Sequence, residues 1–295
     1  MRLSLLTRGA LGAAAALAAR ALPRRRALPR RRARPSATAA AAQRLSAGAA
    51  TLATSVLLDS AAEHYRGGFY NPTMYLAPVA SALTIAAATS SRPGPVRRGV
   101  FELAGATGLV GMGFHVYNVA KRTGGFRWEN VLYGAPLAAP AGITAAGLAG
   151  LAAQSLGDGR LLGLPAGPLV AAASAAGLAG TAAEAGLLHF RGAFHDPFMY
   201  LPVTVPPLAA VALGIAAALP TPLALGAARR LAEATVGVGL LGVGFHALGV
   251  ARNMGGWRNW TQNLQVAPPL PAPPSFTGMA LVGLAGLTLL ENRDD

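Results

Sequence analysis

Four histidines of this chain stand at duplicated positions, each with an arginine close by in sequence. His64-Tyr65-Arg66-Gly67-Gly68-Phe69-Tyr70-Asn71-Pro72-Thr73-Met74-Tyr75 returns as His189-Phe190-Arg191-Gly192-Ala193-Phe194-His195-Asp196-Pro197-Phe198-Met199-Tyr200, at an offset of 125 (189 − 64). Gly113-Phe114-His115, followed by Gly124-Gly125-Phe126-Arg127, returns as Gly244-Phe245-His246 and Gly255-Gly256-Trp257-Arg258, at an offset of 131 (246 − 115). Three chemistries fit this set. Two imidazoles from parallel helices can ligate a haem iron axially, with Arg66 and Arg127, or Arg191 and Arg258, pairing the propionates. The same imidazoles can bind a transition metal, with Met74 and Met199 as soft donors. Without a metal, the His/Arg cluster can hold an anionic or quinone-like substrate. A lone interfacial histidine is usually a hydrogen-bonded surface group, but duplication of both members of a pair weighs against that reading. His195 replaces Tyr70 and has no counterpart.

Carboxylates form a second duplicated layer. Asp59 matches Glu184 at the offset of 125, and Glu102 matches Glu233 at 131. These four could mark a polar path between membrane depths, as carboxylates do in proton or ion pathways. The plainer alternative is that Glu102 and Glu233 snorkel beside Arg98 and Arg229 at the interface.

The elements that must carry these residues follow from composition. The chain has 295 residues, 53% hydrophobic and 12% charged, with mean hydropathy +0.43. A soluble domain carries about 25% charged residues. The expected fold is therefore an all-α integral membrane protein of about eight transmembrane helices, arranged as two tandem parallel four-helix repeats. The spans run from about Leu45 to His64, Pro72 to Thr89, Gly99 to Ala120 and Val131 to Ala153. The second set covers Leu169 to His189, Pro197 to Leu219, Leu231 to Ala251 and Pro274 to Leu290. Repeat 1 occupies 37–153, a Gly-rich linker 154–165, and repeat 2 residues 166–295. Asn71-Pro72 and Asp196-Pro197 are helix-start signals, a side-chain acceptor followed by proline. The duplicated motif thus reads as helix end, glycine turn and helix start. The recurring glycines of the third and seventh spans (Gly105, Gly108, Gly111, Gly113; Gly239, Gly242, Gly244) suit close helix approach.

The net charge of +14 invites a nucleic-acid partner. Its placement excludes one, because ten of the 25 cations precede Ser36 and form a tail rather than a binding face. Residues 1–36 read as a cytoplasmic basic tail, although an Arg-rich stretch with no acid before Asp59 also suits an organellar presequence. A cytoplasmic tail puts both termini inside a bacterial inner membrane and the motif loops outside. The loops balance at seven cations on each side, so orientation rests on the tail. Trp128, Tyr133, Trp257 and Trp260 sit where an aromatic belt would lie. With no cysteine, thiolate metal sites and disulfides are excluded. No soluble-enzyme motif is present, and the chain reads as something other than an enzyme by itself. The expected function is a haem- or metal-binding membrane subunit of a redox complex that docks a partner dehydrogenase. The alternatives are a transporter or channel for an anion, proton or metal ion, and a non-catalytic membrane scaffold.

Overall fold

The computed structural model describes residues 36–90 and 92–292. The expected basic tail, apart from Ser36, lies outside the described residues. The described chain is made of helices and the loops between them, with one two-residue antiparallel hairpin among the described residues, β1 (Arg160–Leu161) with β2 (Leu164–Pro165).

In the first half, α1 (Ala37–Arg66) is followed by a 3-10 turn (Pro72–Tyr75) that leads into α2 (Leu76–Thr89). Then come α3 (Pro95–Ala120), the short α4 (Trp128–Tyr133) and α5 (Ala141–Ser155). The second half has α6 (Ala166–Arg191), a 3-10 segment (Pro197–Val203) and α7 (Val205–Ala218). It continues with α8 (Pro222–Arg252), a 3-10 turn (Gly256–Asn259), α9 (Trp260–Val266) and α10 (Pro274–Glu291).

Seven of these helical stretches are long and apolar enough to cross a membrane. The expected fourth span differs. Val131–Ala153 is broken by Gly134, Pro136 and Pro140 into α4 and the 15-residue α5. Proline withholds the backbone N–H that helix continuation needs. At 1.5 Å per residue α5 is about 22 Å long, short of the ~30 Å hydrocarbon core.

Each half closes a ring of four helices. α1 packs on α2, α2 on α3, α3 on α5 and α5 back on α1; in the second half the order is α6, α7, α8, α10. Helices α1 and α3 are therefore diagonal partners, as are α6 and α8. The halves join mainly through α10, which packs on α1 as well as on α6 and α8 and is buried along almost its whole length.

Close approach explains that junction. A Cβ on Gly278 would stand 2.6 Å from Leu52 Cγ, and one on Gly286 would stand 2.6 Å from the Ala171 nitrogen. Lipid tails are as apolar as the helices, so van der Waals fit and interhelical hydrogen bonds hold such contacts. Ser55 Oγ donates to the Pro271 carbonyl at 2.5 Å, and Ser174 Oγ to the Met279 carbonyl at 2.7 Å. Arg44 reaches the Leu284 carbonyl at 3.3 Å and also bonds Thr288 Oγ1.

Candidate functional site

The glycine turn is the first device that positions the histidines. After α1, Gly68 and Phe69 both take left-handed backbone conformations (φ 72° and 45°), as do Ala193 and Phe194 after α6 (55° and 46°). An L side chain in this region costs about 1–2 kcal/mol, so the turn must be held by other contacts. Phe69 N–H donates to the His64 carbonyl at 3.0 Å, and Phe194 N–H to that of His189 at 3.1 Å. The Phe69 ring stacks on Tyr75 at 4.3 Å and meets His64 edge-on at 5.9 Å. Phe194 repeats both contacts with Tyr200 (4.7 Å) and His189 (6.0 Å). The chain then re-enters helix as expected, with Asn71 Oδ1 accepting from Thr73 N–H and Asp196 Oδ1 from Phe198 N–H, both at 3.0 Å.

All four duplicated histidines make the same bond. His64 Nδ1 lies 2.6 Å from the Met74 carbonyl oxygen, and His189 Nδ1 2.8 Å from that of Met199. His115 Nδ1 lies 2.6 Å from the Pro136 carbonyl, and His246 Nδ1 2.6 Å from that of Pro269. A carbonyl can only accept, so Nδ1 carries the proton in each case. In the neutral ring, Nε2 then keeps its lone pair.

Prolines account for two of these acceptors. In an α-helix the Met74 carbonyl would accept from residue 78, which is Pro78 and has no N–H. In the 3-10 segment the Met199 carbonyl would accept from residue 202, which is Pro202. His64 and His189 thus bond carbonyls from which proline has withheld a helical partner. The Pro136 and Pro269 carbonyls lie in the loops before α5 and α10, and that of Pro269 also accepts from Ala272 N–H at 3.2 Å.

The pairs expected from sequence are brought together. His64 is a charge neighbour of His115, and His189 of His246. Each pair spans the diagonal of its ring, at the end that carries the motif loops. Among the described residues no three His, Cys, Asp or Glu side chains converge to hold a metal. In the neutral rings each pair carries two unprotonated Nε2 atoms.

The remaining candidates are placed as follows. Met74 and Met199 turn their methyl ends onto the turns at Gly67 and Gly192, where an added Cβ would meet them at 3.4 and 3.1 Å. Arg66, Arg127, Arg191 and Arg258 are all exposed at the motif end. Among the described residues none of them hydrogen-bonds a histidine. Arg66 pairs with Glu63 at 2.6 Å. Leu188 replaces that acid in the second half, and the Arg191 guanidinium lies over the Tyr133 ring at 5.2 Å. Arg127 folds back along the Gly124 turn. With the Trp128–Phe190 edge contact at 6.1 Å, the Arg191–Tyr133 pair clasps α4 to the end of α6.

The acids separate into two groups. Glu102 pairs with Arg98 at 2.8 Å and Glu233 with Arg229 at 4.0 Å, while Arg229 also holds Glu291 at 2.5 Å. Asp59 and Glu184 are half-buried charge neighbours of one another, with no ion pair among the described residues.

Sequence reading left several positioning residues unassigned: Phe69 and Phe194, Tyr75 and Tyr200, the prolines, and Asn130 with Asn263. Asn130 Nδ2 donates to the Thr123 and Gly125 carbonyls, and the buried Asn263 does the same to Met254 and Gly256. This ties off the glycine loops that carry Arg127 and Arg258. The signal lay in a third constant offset, 133 residues (263 − 130), shared by Pro136 and Pro269.

No protein-family model matches the chain, and no significant similarity to a curated protein or a solved structure is found.

Proposed function

We propose that the chain is an integral membrane redox subunit built of two parallel four-helix repeats, each binding one haem through a histidine pair. His64 and His115 serve the first site, His189 and His246 the second. The observation that carries this reading is the fourfold Nδ1–H bond to a backbone carbonyl. That bond fixes ring orientation and tautomer and presents Nε2 as the ligand atom, as outer-shell bonds do for metal-bound histidines. Diagonal helices of a four-helix ring give the two nitrogens a common interior to face. Arg66, Arg127, Arg191 and Arg258 stand at the same end, where propionates would emerge. Both sites share one membrane depth, so electrons would pass laterally between them and to a docked dehydrogenase. The basic tail puts the termini in the cytoplasm and the sites at the outer face.

The test is the absorption spectrum and haem content of the protein in detergent, with His64→Ala, His115→Ala and the double variant. Two ligands to one iron form a unit, so each single change should remove one haem of two and the double change no more. His189→Ala and His246→Ala should behave likewise. Wild-type protein with neither haem nor stoichiometric metal overturns the proposal.

A second reading is supported by Asp59 and Glu184, half-buried charge neighbours that make no ion pair among the described residues. They would form a proton or cation passage. Asp59→Asn and Glu184→Gln should then abolish flux into proteoliposomes. Unchanged flux removes this reading.

A further inference from the structure

The end of the first ring opposite the histidines contains a cavity of about 410 Å³ between α1, α2, α3 and α5. Ligand sites commonly enclose about 300–1,000 Å³. Alanines form part of its lining (Ala50, Ala88, Ala153), with polar groups from Gln43, Ser46 and Arg97.

The second half is more closely packed at two of the matching positions. Ser46 corresponds to Ala171, which packs directly on Gly286, the counterpart of Ala153. Arg97 corresponds to the fully buried Ala228. The first half thus places a serine and an arginine where the second half buries two alanines.

That cation is partly held already. Arg97 Nε donates to the Ala87 carbonyl at 2.8 Å, and its guanidinium carbon lies 5.6 Å from the centre of the buried Phe101 ring. No carboxylate among the described residues pairs with it. Its terminal NH2 groups remain as charged donors, and guanidinium suits phosphate oxygens. The cavity opens where α1 and α3 begin and α2 and α5 end, at the membrane surface opposite the motif loops.

We propose that this cavity binds a phosphate-bearing amphiphile, an acidic phospholipid whose headgroup meets Arg97 and whose chain lies along the alanine wall. The proposal is independent of the histidine sites.

The test titrates full-length protein in a non-ionic detergent by native mass spectrometry. The probes are dioctanoyl phosphatidylglycerol, dioctanoyl phosphatidylcholine and inorganic phosphate. Wild type should bind one phosphatidylglycerol roughly fivefold or more tightly than phosphatidylcholine, the discrimination expected of one basic residue near the surface. Ala88→Leu, which adds bulk to the lining, should lose this binding. Arg97→Ala should abolish the discrimination, and Arg97→Lys should keep it. Arg98→Ala, which alters the exposed pair with Glu102, should behave as wild type. Melting curves of each variant separate lost binding from lost fold, and Arg97→Lys supports the assignment even if Ala88→Leu does not fold. Equal binding of the two lipids, or unaltered binding in a folded Ala88→Leu, overturns the proposal. Displacement of the lipid by an equal concentration of inorganic phosphate also overturns it, by assigning the site to a free anion.

Discussion

Replacing Gly108 by alanine should separate α3 from α5. A Cβ at that position would stand 2.1 Å from Thr144 Oγ1, 2.5 Å from the Pro140 carbonyl oxygen and 2.8 Å from the Thr144 nitrogen. Two of the three are backbone atoms, so no rotamer change relieves the overlap, and the helices must move apart. Overpacking of a fitted interior costs about 1–3 kcal/mol, roughly a 5- to 150-fold shift in an unfolding equilibrium. The displaced backbone also bears on the site. Pro140 lies four residues after Pro136, whose carbonyl holds His115, and His115 is two turns along α3 from Gly108. Gly239→Ala should cost somewhat less, since its nearest contacts are 2.3, 2.9 and 2.9 Å. Gly113 and Gly244 have nothing within 4 Å, so Gly113→Ala and Gly244→Ala are the controls. Alanine there should be neutral or favourable, by up to about 1 kcal/mol from helix propensity. The assay is thermal or SDS-induced unfolding in detergent, followed by circular dichroism. If Gly108→Ala unfolds within about 0.5 kcal/mol of Gly113→Ala, the ordinary scatter of surface substitutions, close packing at Gly108 is refuted.

Ser55→Ala removes the donor to the Pro271 carbonyl, and a buried group left without its partner costs about 1–3 kcal/mol; the melting point should fall, with the loss concentrated at the α1–α10 junction in hydrogen exchange. Asn263→Ala removes both bonds to the second glycine loop, so limited proteolysis should cut near Gly255 and Gly256 faster than in wild type; an unchanged cleavage pattern would show that Asn263 does not tie the loop. A cysteine at Gly68 in this cysteine-free chain should react with an impermeant maleimide only from outside the cell, and labelling from the cytoplasmic side alone would reverse the orientation drawn from the basic tail.

Composition and periodicity made the helical, membrane-spanning character legible, because few charges and long apolar runs leave helices as the economical way to satisfy the backbone in lipid. The constant offsets exposed His64, His115, His189 and His246 as matched pairs, since duplication is a property of order along the chain. Asn71 and Asp196 announced their own caps, because that chemistry is local. The fourth span was misjudged. Apolar content between Val131 and Ala153 outweighed Gly134, Pro136 and Pro140, and those residues break the helix there. Glycines looked alike in sequence but are not alike in space: Gly108 and Gly239 meet backbone, whereas Gly113 and Gly244 meet nothing. Which helix lies opposite a glycine is a three-dimensional fact. The same holds for the histidines' acceptors, which lie 10 to 23 residues away along the chain. The hollow beside Arg97 is likewise a tertiary fact, because a cavity is set by what neighbouring helices fail to fill. Local chemistry and repetition could be read from order alone; contact, occupancy and empty space were decided by the tertiary fold.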